Sequence, residues 1–134
     1  MNEKELCFII NNERIYLECI LAEDDYVPIF FLCKSEHDNF YLSLRVWSET
    51  TEEYIVIKLT KEEVVDMLHG KIPMRDVFLN QKYFWKVISG DEIEKDNVTE
   101  YPIEKISKDD LPYENAYFVI CRKYIREYVE KFES

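Results

Sequence analysis

The chain has 134 residues and a formal net charge of −11; 47% of its residues are hydrophobic and 15% aromatic. Such a chain fits one domain, spanning 1–134, with a core that needs no staples, and it lies far from the disordered class. The acidic balance argues against direct nucleic-acid binding, which needs a basic surface, and against an anionic membrane surface.

No apolar run reaches the roughly 18 residues of a membrane span. The N-terminal Met1-Asn2-Glu3-Lys4-Glu5 lacks the basic and then apolar regions of a secretory signal, so a cytoplasmic chain is expected. Cys7, Cys19, Cys33 and Cys121 are far apart, with no C-x-x-C pair of the kind that binds zinc. All four are expected as buried free thiols.

In chain order, LCFII (6–10) and IYLECIL (15–21) flank Asn11-Asn12 and read as a hairpin. Strict alternation would put Ile15, Leu17, Cys19 and Leu21 on one face and Tyr16, Glu18 and Ile20 on the other. AEDDYVP is a polar turn. PIFFLCK (28–34) is apolar throughout, as in a central strand covered on both faces. FYLSLRVW (40–47) alternates: Phe40, Leu42, Leu44 and Val46 are expected in the core, and Tyr41, Ser43, Arg45 and Trp47 away from it. YIVIKL (54–59) is a further strand, and such close neighbours pair as an antiparallel meander.

Thr60-Lys61-Glu62-Glu63 is a capping box that opens a helix. Gly70 suits a left-handed helix stop, and Pro73 suits the start of a second helix. This elbow has a structural explanation that leaves only Arg75 over, either pairing with a carboxylate or reaching an anion. KYFWKVI (82–88) reads as a strand, and 98–106 holds a short edge strand interrupted by Pro102. From Asn115, the residues Tyr117, Ile120, Cys121, Tyr124, Tyr128 and Phe132 recur at helical spacing, predicting an amphipathic C-terminal helix; Phe118, Ile125 and Val129 widen its apolar stripe, which leaves open that part of it starts as a strand or meets a partner. The expected fold is α+β: a mainly antiparallel sheet of about five or six strands, a helix-turn-helix elbow and a C-terminal helix.

Most catalytic motifs are missing. Two glycines cannot build a phosphate-cradling loop, and there is no G-x-S-x-G elbow. His37 lies in a polar turn, and His69 ends a helix, where the dipole alone favours it. DEIEKD (91–96) fails as a calcium loop, because Ile93 and Lys95 fall where ligands belong and the turn glycine is absent. Neither a metal nor a cofactor is expected, and the chain does not read as an enzyme.

What remains is the surface. Acids cluster at Glu23-Asp24-Asp25, at Glu49 with Glu52-Glu53, and over 91–114, where nine acids face three lysines. Exposed aromatics are expected among Tyr41, Trp47, Tyr54 and Tyr113, and aromatics rimmed by charge make good interface anchors. The candidate partner-binding residues are Asp91, Glu92, Glu94, Asp96, Trp47, Tyr41 and Arg75.

Three stretches in order, PIFFLCK (28–34), MLHGKIPMRDVFL (67–79) and DDLPYENAYF (109–118), resemble a family of small uncharacterised bacterial proteins with a domain of unknown function. The resemblance spans about 16–117. It implies one compact domain and transfers no catalytic residue.

Three functions fit these features. The first is an acidic protein-binding module that neutralises a more basic protein, in the manner of immunity proteins or phage anti-defence proteins. The second is a small-ligand domain or enzyme whose site assembles around Arg75 and His69. The third is a structural subunit that oligomerises through its C-terminal helix or a sheet edge. The first is the expected one.

Overall fold

A computed structural model describes residues 4–133. Its strands are β1 (Leu6–Ile10), β2 (Glu13–Asp24), β3 (Val27–Ser35), β4 (Phe40–Val46), β5 (Glu53–Leu59), β6 (Tyr83–Ile88) and β7 (Asn97–Pro102). They form one antiparallel sheet in sequence order, curled into a half-barrel. The α-helices among the described residues are short: α1 (Lys61–Leu68), α2 (Met74–Leu79) and α3 (Lys123–Glu133). None is long and apolar enough to cross a membrane.

This corrects the expected five or six strands with a helix-turn-helix elbow. The sheet has seven strands because both of its ends are fully used. Asn11 and Asn12 adopt φ of +53° and +65°, a left-handed pair that matches strand twist and closes β1 onto β2. At the other edge, β7 pairs with β6 from Ile88↔Asn97 to Tyr83↔Pro102, so Pro102 ends the strand and does not interrupt it.

The two helices after β5 form no helix-turn-helix unit. Thr60 caps α1 as the sequence indicates: its hydroxyl accepts the Glu63 N–H at 3.1 Å, and Glu63 accepts the Thr60 N–H at 3.0 Å. Gly70 then turns the chain at φ +69°, and a Cβ there would stand 3.0 Å from the Phe118 carbonyl oxygen. Next, Pro73 forms a β-bridge with Tyr117, and the Met74 N–H donates to the Ala116 carbonyl at 2.9 Å. The link between the helices is therefore fastened to the 116–118 segment. Each helix buries its own apolar face, α1 through Val64, Met67 and Leu68 and α2 through Val77 and Phe78.

The same fastening shortens the C-terminal helix. Asn115 is left-handed (φ +62°), Tyr117 is held in the bridge, and helix begins only at Lys123. Phe118 points into the core while Val119 is 70% exposed, so the apolar spacing before 123 does not come from a helix. From Lys123 onward the helix forms, but Ile125 and Val129, expected only to widen the stripe, are its buried residues; of the stripe itself, Tyr128 and Phe132 are half-buried, with Phe132 packed edge-on against Phe40, and Tyr124 is exposed.

Both faces of the sheet are apolar. One is covered by the helices, whose Met67 and Phe78 join Leu32, Leu42 and Ile57 of the sheet in one cluster. The other is the concave face, holding Phe8, Ile15, Phe31, Cys33, Tyr41, Val56, Trp85 and Val87. Its curvature is measurable: the rings of Phe8 on β1 and Tyr54 on β5 lie 5.4 Å apart. In a flat sheet strands four places apart would be about 19 Å apart, at ~4.8 Å per strand.

Bulges in β2 go with this curl. Its register against β3 shifts at Leu17/Cys19, Ile20/Ala22 and Ala22/Glu23, and the residue added at the first reverses which face the next side chains meet. Ile15 and Leu17 join the concave cluster, whereas Cys19 and Leu21 join the helix-covered one. The expected single face of Ile15, Leu17, Cys19 and Leu21 is thus split. PIFFLCK does fill both faces, with Phe30 and Leu32 on one and Phe31 and Cys33 on the other. The thiols divide as well: Cys19 and Cys33 are buried, Cys7 is half-buried and Cys121 is exposed.

Candidate functional site

Register decides what gathers at each end of the half-barrel. Asp24↔Val27, Val46↔Glu53 and Ile88↔Asn97 are the terminal pairs of three hairpins. Phe30↔Leu44 and Glu53↔Ile88 carry the alignment across the strands between them. The β2–β3 turn and the β4–β5 and β6–β7 loops therefore emerge at one end. With them come three acidic groups separate in sequence: Glu23-Asp24-Asp25, Glu49 with Glu52-Glu53, and Asp91, Glu92, Glu94 and Asp96.

Some of these acids are partly neutralised. Glu23 lies 3.6 Å from Arg122, Glu52 lies 3.8 Å from Arg45, and Glu53 lies 3.3 Å from Lys86. Asp24, Asp25, Glu49, Asp91, Glu92 and Glu94 are exposed. Two aromatics stand among them. Trp47 is 80% exposed just beyond β4, and Tyr26 is 95% exposed at the tip of the β2–β3 turn. Tyr26 adopts φ +66°, a left-handed conformation that is strained for a bulky residue.

Beneath this rim a cleft of about 320 Å³ opens between the start of β1 and the 89–96 loop. Phe8, Leu17, Phe31 and Tyr54 line it on the apolar side, and Glu5, Glu52 and Asp96 supply carboxylates. Gly90 lets the loop close: its N–H donates to Asp96 Oδ1 at 2.9 Å, and a Cβ there would stand 2.6 Å from the Lys95 carbonyl oxygen. Burial pushes the Asp96 carboxyl above the usual range, helped by the charges of Glu94 and Glu52 and opposed by the Gly90 N–H. Burial, with Glu52 nearby, likewise raises Tyr54.

The sequence candidates divide. Asp91, Glu92, Glu94, Asp96 and Trp47 share this end. Tyr41 does not belong to the surface: it is 3% exposed, and its hydroxyl donates to Glu13 Oε2 at 2.6 Å. The alternation of β4 put it opposite the helix-covered core, but the curl gives that side a core of its own. Arg75 is on α2 and donates from Nη2 to the Lys108 carbonyl at 2.8 Å. His69 pairs through Nε2 with Glu133, and neither it nor Arg75 lines the cleft. Tyr26 and Glu5 were not picked out from sequence, and Glu52 only as a member of an acidic cluster. The Asp25-Tyr26 dipeptide in a polar turn was the one available signal for Tyr26.

Among the described residues, no three or more His, Cys, Asp or Glu side chains gather to hold a metal ion. Comparison with protein-family models, curated proteins and solved structures gives no match in any of the three.

Proposed function

We propose that the chain is a cytoplasmic protein-binding module that docks its acidic end on a more basic protein and blocks it. One observation carries this reading: three acidic segments distant in sequence converge at one end of the sheet, around exposed Tyr26 and Trp47. Clustered carboxylates speed encounter with a basic surface, and exposed aromatics then supply buried contact area. Like charge disfavours nucleic acid and anionic lipid at the same face. A catalytic site around Arg75 and His69 gains no support, since each is bound to another group of the fold. The apolar face of α3 is already spent on the sheet, which leaves little for self-association there.

The test compares the native chain with a variant carrying Asp24→Asn, Asp25→Asn, Asp91→Asn, Glu92→Gln and Trp47→Ser. Both are immobilised, exposed to lysate of the source cell at low and high salt, and any captured protein is purified and titrated. A basic protein that binds the native chain, is released by salt and ignores the variant is the expected result. Binding that survives both salt and the substitutions overturns the reading.

A further inference from the structure

We propose that the cleft beneath the acidic end receives the alkylammonium or guanidinium head of a basic side chain, a lysine or arginine presented by the docked partner. The inference rests on the docking role of that end and names what its centre recognises. It stands on the shape and lining of a cavity, not on the acids alone. Among the described residues lining it, there are three carboxylates, Glu5, Glu52 and Asp96, and no basic side chain. Arg45, which pairs with Glu52, does not line the cleft.

Three aromatic rings stand in the apolar wall, beside Leu6, Leu17, Pro28 and Ile93. Phe8 and Phe31 stack with centroids 6.1 Å apart, and Tyr54 meets both edge-on, at 5.4 Å and 5.9 Å. Aromatic rings and carboxylates together form the chemistry that holds organic cations: rings attract the charge and cover the alkyl stem, and carboxylates accept its N–H groups. Asp96 makes one such acceptor available, because the Gly90 N–H occupies only Oδ1. A volume of about 320 Å³ suits one side-chain head and its stem, and lies at the lower end of small-ligand pockets.

The experiment needs no partner. The full chain, isotope-labelled, is titrated with butylammonium, ethylguanidinium and neutral butanol, and signals of Phe8, Phe31, Tyr54 and Gly90 are followed. Saturable shifts confined to the cleft are expected with the cations, and much weaker ones with butanol. Glu52→Gln with Asp96→Asn is expected to weaken cation binding about tenfold. Asn retains an acceptor for Gly90, and an unchanged thermal midpoint verifies that the variant is folded. A control variant, Glu104→Gln with Asp109→Asn, removes as much charge outside the cleft and is expected to leave affinity unchanged.

Three results overturn the proposal: no cleft shift with either cation, equal shifts with butanol, or equal weakening by the two variants. None of these bears on salt-sensitive capture by the acidic end. Conversely, cation binding in the cleft without any captured protein removes the docking role and leaves the cleft's chemistry standing.

Discussion

One carboxylate at one end of the half-barrel is used in the opposite way to those clustered at the other. At the end holding the β1–β2 and β3–β4 turns, one acid, Glu13, is saturated. It accepts from the Ser35 hydroxyl, from Asn39 Nδ2 at 2.9 Å and from the Tyr41 hydroxyl at 2.6 Å. Ser35 Oγ in turn accepts the His37 and Asn39 N–H groups, which ties the next turn to the same knot. At the other end many acids stand in solvent, with a few weak ion pairs among them. The difference lies in how many donors each carboxylate meets, not in how acidic the local sequence is. An acid met by several protein donors holds the fold, whereas an acid in solvent is hydrated and contributes little to it.

Breaking the knot should have the largest effect. Glu13→Ala leaves the buried Ser35 and Tyr41 hydroxyls without their acceptor, and is expected to cost about 2–3 kcal/mol in chemical denaturation. Proton linkage gives a second readout. Burial alone would raise the Glu13 carboxyl, but hydrogen bonds from Ser35, Tyr41 and Asn39 and the Lys58 charge outweigh it and hold it below the usual range. A carboxyl depressed in the folded state contributes stability above its unfolded pKa, about 4.3. That contribution fades as pH falls through the folded value. The gap between native chain and Glu13→Gln should therefore be full at neutral pH and shrink in acid. A gap independent of pH would mean that the carboxylate charge is not what the knot uses.

At the acidic end, Gly90→Ala probes the loop that closes the cleft. The new Cβ must displace the Lys95 carbonyl, so a loss of about 1–2 kcal/mol is expected, together with altered cleft signals in amide spectra. Neutralising Asp24, Asp25, Asp91 and Glu92 should do far less to stability, within about 0.5 kcal/mol of the native chain. Removing mutual repulsion would place the change on the stabilising side. A loss as large as that of Glu13→Ala would show that these acids hold the fold after all.

How much of this was legible follows from the kind of interaction involved. Local signals were read correctly: the Asn11-Asn12 turn, the Thr60–Glu63 cap, the Gly70 stop and the two-faced PIFFLCK strand each depend on a few neighbouring residues. The bulge at Leu17–Cys19 was not legible, because the alternating sequence runs through it unbroken, and only pairing with β3 reveals the shift. Tyr41 was misplaced for the same reason, since its side of the sheet becomes a core only after the curl. The false helical start at 115–122 arose from apolar spacing that serves a bridge to Pro73 instead. The acidic clusters were visible one by one, but their convergence is a product of register across six strands.

The smallest expected effect concerns Tyr26. Its side chain is 95% exposed and its backbone is left-handed at φ +66°, so it accepts strain and returns almost no packing. Tyr26→Gly removes the Cβ penalty of that conformation but enlarges the conformational freedom of the unfolded chain. The two effects nearly offset, leaving an expected net gain of about 0.5 kcal/mol in thermal unfolding. A gain of that sign, alongside weaker capture of a basic partner, would identify Tyr26 as a residue whose side chain serves contact at the expense of the turn. A clear loss of stability would instead show that the ring packs on its own hairpin, and would take Tyr26 out of the docking face while leaving Trp47 in it.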